Sequence, residues 1–214
     1  MLARCLVFLW LVLLSIGGPS LAWADTLDRI AVTVGKAVIT ESQIVLDLEV
    51  TAFIDHKAAD LSVAAKRASA ERLVDQVLIL REAEESRVTL PSTEAAKGLV
   101  APYAAESGYQ ADLQRYGISE SDLAKHLLAG LQTLAFTNLR FRPDVMVSEQ
   151  EIKSYYDKLV AKTPSAAGPI PSLEDSREQI EKILTEQKVL EALDQWLVMA
   201  RAAARIQYHD KAFQ

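Results

Sequence analysis

From Leu173 to about Ala204 the apolar side chains recur at threes and fours, through Ile180, Ile183, Leu184, Leu190, Leu193, Trp196, Leu197 and Ala200. That period predicts a long amphipathic helix, and a helix this long buries its stripe against other elements. Upstream, Leu73, Val74, Val77, Leu78 and Leu80 form a broad stripe in a helix expected from about Val63 to Arg87, and Leu123, Leu127, Leu131 and Leu134 share one face of another from Ser119 to about Arg140. The fold expected is therefore mainly α, a multi-helix body.

Three short strings resemble one another: "AVITESQI" from Ala37, "YGISESDL" from Tyr116 and "VMVSEQEI" from Val145. Each reads as a helix start. Thr40, Ser119 and Ser148 are caps, with Gln43, Asp122 and Glu151 three residues on, placed to reach back to the cap's own N–H; Ile39 with Ile44, Ile118 with Leu123 and Val147 with Ile152 staple the first turn. The unequal spacing of the copies excludes a solenoid. Before Thr40 the period is two: Ile30, Val32 and Val34 alternate, Gly35-Lys36 is a turn signal, and Val38-Ile39 follows, predicting a β-hairpin. Alternation returns at Ile206 and Tyr208, so a short C-terminal strand is expected to pair back onto the hairpin and complete a small sheet.

Between these elements, "STEAAKGLVAPYAAESG" from Ser92 is broken by Pro102 and two glycines, and "AKTPSAAGPIPS" from Ala161 holds three prolines and a glycine. The second of these is expected to be a linker or exposed loop. The domain organisation expected is residues 1–24 as a signal peptide, 25–159 as the main helical region, 160–171 as the Pro-rich linker, and 172–214 as a long helix and strand that complete the same core.

The signal peptide is read from Arg4, the apolar run Cys5 to Ile16, and the small residues Ala22 and Ala24 around Trp23. The run is short of the roughly 20 residues that span a bilayer, so cleavage after Ala24 and export to the periplasm are expected, with retention as an anchor the alternative. Removing residues 1–24 takes away the sole cysteine and one base, leaving 22 Lys and Arg against 29 Asp and Glu, a net charge of −7. No disulfide or thiol chemistry is then open to the exported chain. Its acidic balance argues against nucleic acid as a partner.

Residues that carry chemistry are sparse. No glycine pattern suits a phosphate loop. His56, His126 and His209 stand apart from one another and from other ligands, so no zinc site is expected. Gly117-Ile118-Ser119-Glu120-Ser121 lacks the closing glycine of a nucleophile elbow. Neither a catalytic residue nor a cofactor is expected, and the chain reads as no enzyme. Tyr103, Tyr109 and Tyr116 gather in the broken region, and Phe136, Phe141 and Met146 surround the end of the leucine-rich helix. Such groups suit an adaptable apolar surface for peptides, and suit a core equally.

Taken in order, "LDRIAVTVGKAVITESQIVLDLE", "RLVDQVLILREAEESRVTLPSTEA", "YGISESDLAKHLLAGLQTLAF", "VSEQEIKSYYDKL" and "WLVMARAAARIQYHD" resemble the core module of the SurA family of periplasmic chaperones. In that family parvulin-type isomerase domains lie between the fourth stretch and the last helix. Here the gap from Val160 to Pro171 is twelve residues, where such a domain needs roughly a hundred, so isomerase activity is not carried over. The resemblance implies an ATP-independent holdase that cradles unfolded or nascent outer-membrane and envelope proteins, with Phe53, Leu78, Tyr103, Tyr109, Phe136, Phe141 and Met146 as client-binding candidates. No nucleic acid and no stable membrane insertion are expected. Two other readings stand beside it: a scaffold or adaptor subunit that binds one folded partner or a second copy of itself, and a PrsA-like prolyl isomerase.

Overall fold

A computed structural model describes residues 28–162 and 171–214. The expected signal peptide with its expected cleavage point and most of the Pro-rich segment lie outside the described residues. The chain is mainly helical with one small sheet. Strands β1 (Ile30–Val34) and β2 (Ala37–Thr40) lead into helices α1 (Glu41–Ile54), α2 (Val63–Glu85), α3 (Thr93–Ala104), α4 (Tyr109–Tyr116), α5 (Glu120–Phe141), α6 (Glu149–Lys162) and α7 (Leu173–Ala203), and β3 (Ile206–Tyr208) follows. Helix α6 runs on to Lys162, three residues into the 160–171 stretch expected to be linker.

The sheet is antiparallel in the order β2-β1-β3. Gly35 opens the two-residue turn at φ +60°, a region that favours glycine. Strand β3 adds to the far side of β1, with Val32 opposite Tyr208 and Val34 opposite Ile206. The first and last described elements thus share one sheet. After β3 a 3₁₀ turn (Asp210–Ala212) drives Phe213 into the core beside Val32, Ile44, Val74 and Leu78. Arg67 lies 4.8 Å above the Phe213 ring and binds Asp210, while the nearly buried Lys66 donates to the Gln214 main-chain oxygen.

Two further apolar clusters complete the interior. Phe53 is surrounded by Tyr103, Tyr109 and Tyr116 at centroid distances of 6.0, 6.2 and 5.8 Å. Phe136 packs on Trp196 at 5.3 Å and on Phe141 at 5.9 Å, joining α5 to α7.

The caps at Thr40 and Ser119 form full capping boxes, and at Ser148 the Glu151 carboxylate accepts from the cap N–H. Three helices stop in the same way. Lys57, Val88 and Ile118 donate to the carbonyls of Ala52, Ala83 and Leu113, while His56, Arg87 and Gly117 occupy the left-handed position between. This is the Schellman motif, with glycine in only one of the three.

Three stripe positions depart from expectation. Leu80 is 40% exposed, its neighbour Ile79 being buried in its place, Leu134 is 56% exposed and Leu190 57%. Along α7 the buried row passes from Ile180 to Val189 and Leu193, a shift of phase that turns Leu190 to solvent. On α5 the buried row jumps from Leu123 to Phe136 and Thr137, because the middle of that helix borders a hollow.

Candidate functional site

The hollow is an open cleft of about 760 Å³ between α1, α2, α5 and α7, with β2 at one side. Helical spacing builds each wall. Leu46, Asp47 and Val50 come from α1; Leu73, Gln76 and Val77 from α2; Asp122, Lys125, His126, Ala129, Gly130 and Thr133 from α5; Leu193 and Leu197 from α7. Positions three and four apart fall on one helix face, so each helix lines the cleft with a single strip. The space stays open because α5 presents small groups there. A β-carbon built on Gly130 would meet nothing within 4 Å. The volume lies within the range of small-molecule and side-chain pockets, and the mix of apolar wall with a few placed polar groups is the composition such sites have.

The polar groups converge on Asp47, whose side chain is 10% exposed. Its carboxylate accepts from Ser69 Oγ at 2.6 Å and Arg72 Nη2 at 2.6 Å, and His126 Nδ1 stands 3.3 Å away. One carboxylate therefore ties α1 to α2 and α5 at the edge of the cleft. Desolvation raises its pKa, but the donors from His126, Ser69 and Arg72 outweigh it and hold the group below the ordinary carboxylate value. Ser69 donates to Asp47 and to no histidine, so the serine, histidine and aspartate do not form a nucleophilic relay. Among the described residues no group of three or more acids, histidines or cysteines is placed to hold a metal.

The residues singled out from the sequence fall elsewhere. Phe53, Tyr109, Leu78 and Phe136 are buried, at 4%, 5%, 1% and 0% exposure. Tyr103 and Phe141 are half-buried against the same clusters. Their chemistry is spent on core packing, and none of the six lines the cleft. Met146 is 84% exposed on the segment between α5 and α6, where its carbonyl accepts from Lys188. The cleft residues were missed because sequence reading ranks large apolar side chains first, whereas the signal lay in the interruption Ala129-Gly130 within a leucine-rich helix.

No protein-family model matches the chain, and no curated protein matches it. Among the described residues no helix is long and apolar enough to cross a membrane.

Proposed function

We propose that the chain is an ATP-independent holdase of the periplasm that binds extended, partly unfolded envelope and outer-membrane proteins through the cleft. The observation that carries this reading is the open, largely apolar space kept clear by Ala129 and Gly130 on α5. Binding of unfolded chains suppresses their association by mass action and uses no nucleotide. The excess of acid over base supports solubility of a body with an apolar hollow. The order of sequence stretches that resemble the SurA core adds to the reading, and the signal peptide expected over residues 1–24 fits export. In this reading the core aromatics hold the walls apart and the cleft residues touch the client.

The test is suppression of aggregation of a chemically denatured outer-membrane β-barrel protein by the purified chain lacking residues 1–24. Suppression at equimolar amounts without ATP is expected. No effect at roughly tenfold excess overturns the proposal.

A second reading, a scaffold subunit that docks one folded partner, is favoured by Val198 and Met199 on α7, which are 69% and 64% exposed side by side. Replacing both by serine separates the two. The holdase keeps its suppression, whereas a scaffold loses its partner.

A further inference from the structure

The cleft's hydrogen-bonding groups are unevenly used. Each carboxylate on its wall is already engaged as an acceptor. Asp47 takes Ser69, Arg72 and His126; Asp75 takes both Arg201 Nε at 2.6 Å and Arg201 Nη2 at 2.7 Å; Asp122 takes the N–H and hydroxyl of Ser119 at its own cap. The bases on the same wall are not used up. Arg72 gives one of its five N–H groups to Asp47 and is half exposed, and Lys125 is 71% exposed with Asp122 at 4.0 Å as its nearest acid. Arg72 and His126 meet on one carboxylate, and Lys125 precedes His126 on α5, so these spare donors stand together at one part of the mouth. A protein with an excess of acid thus presents cationic side chains with N–H donors to spare beside its apolar hollow.

The rim also offers main chain. Gly35 donates to the Arg205 carbonyl and His209 to that of Ala31, which sets the phase of the β1–β3 ladder so that Thr33 spends its own N–H and C=O on β3. Its partner on the other side, Val38, is then a non-hydrogen-bonded position of β2, with N–H and C=O directed away from the sheet. Val38 lines the cleft and is 45% exposed. An edge position of this kind pairs with an extended backbone.

We propose that the cleft selects extended polypeptide segments in which an apolar cluster is flanked by Asp or Glu, the apolar side chains entering between α2 and α5, the backbone running past Val38, and the flanking carboxylate accepting from Arg72 and Lys125. This rests on the holdase reading and gives it a sequence preference.

The experiment uses fluorescently labelled peptides with one shared apolar core and Glu, Gln or Lys flanks, titrated by anisotropy with the chain lacking residues 1–24. The Glu-flanked peptide is expected to bind about fivefold more tightly than the Gln-flanked one, near the upper range for an exposed charge pair, and the Lys-flanked one more weakly still. The preference should shrink as salt rises. Lys125 is exposed and makes no core contact, so Lys125→Gln should lower the preference and Lys125→Glu reverse it, both read as the ratio of Glu-flanked to Gln-flanked affinity. Gly130→Phe should weaken all three by filling the cleft. Equal binding of the three peptides, or a preference that survives Lys125→Glu, overturns this inference and leaves the holdase reading standing. Absence of binding by any peptide, or binding of decanoate in their place, overturns both.

Discussion

At Asp47 desolvation and hydrogen bonding pull in opposite directions, and the three donors prevail. Because the folded-state pKa lies below the unfolded value, the stability this group contributes is fully present above about pH 4, the ordinary carboxylate value, and is lost as pH falls through the depressed folded value. Asp47→Asn keeps the shape and removes the charge. It should cost about 1–3 kcal/mol at neutral pH, the range for weakening hydrogen bonds to a charged, largely buried group, and the variant's stability should fall less steeply below pH 4. Urea titrations at pH 7, 5 and 3 check both parts; a wild-type acid limb left unchanged by the substitution counts against the assignment. Two other single residues carry backbone strain. His56 and Arg87 hold φ of +53° and +54° at helix ends, where a β-carbon costs roughly 1 kcal/mol. His56→Gly and Arg87→Gly should each raise the urea midpoint by the equivalent of up to about 0.5 kcal/mol, after glycine's larger loss of chain entropy is subtracted. A lowered midpoint would show that their side chains do more than occupy a helix stop.

At the scale of elements, α5 holds the hollow open, and Gly130 is the position that separates fold from function. In a helix interior glycine is less favourable than alanine by about 1 kcal/mol, and a β-carbon here points into open space. Gly130→Ala should therefore stabilise the chain by up to about that amount, and Gly130→Phe should leave the helical circular dichroism intact while abolishing holdase activity. Retained suppression of aggregation by Gly130→Phe moves the binding surface away from the cleft. The same helix shows what the sequence made legible. Its start was written in Ser119 and Asp122, its period in the leucines, and its end before Pro143, all of which act locally along the chain. Which leucines would be covered was not written there. Leu134 faces solvent and Leu131 is half-buried although both belong to the stripe, and which of them a neighbour covers is set by side chains distant in sequence. Likewise the tyrosines of the broken region were visible as a group, but only the packing of α3 and α4 against α1 brings them around Phe53 and makes them core. The Asp47 hub draws on positions 47, 69, 72 and 126 from three helices, and no local pattern announces such a convergence.

For the whole molecule, the decisive contact is between the two ends of the described chain. Strand β1 is central, so β2 on one side and β3 on the other are both needed to satisfy its main chain, and Phe213 fastens the C-terminal segment by filling the space between the sheet and the α1–α2 pair. Phe213 is 1% exposed. Truncating a buried phenylalanine costs about 3–5 kcal/mol, a large share of the roughly 5–15 kcal/mol that holds a domain together. Phe213→Ala should therefore lower the urea midpoint steeply. Leu190→Ala is the control: 57% exposed on α7, it should change stability by no more than about 0.5 kcal/mol. Trp196 is the sole tryptophan of residues 25–214 and packs against both the sheet cluster and the Phe136 cluster, so its fluorescence reports on the junction of the two. If the ends close one cooperative body, the fluorescence and circular-dichroism midpoints of Phe213→Ala shift together. If they separate, with the sheet lost while the helices persist, then the helices stand without the C-terminal strand and the closure is an attachment to the fold, not a condition of it.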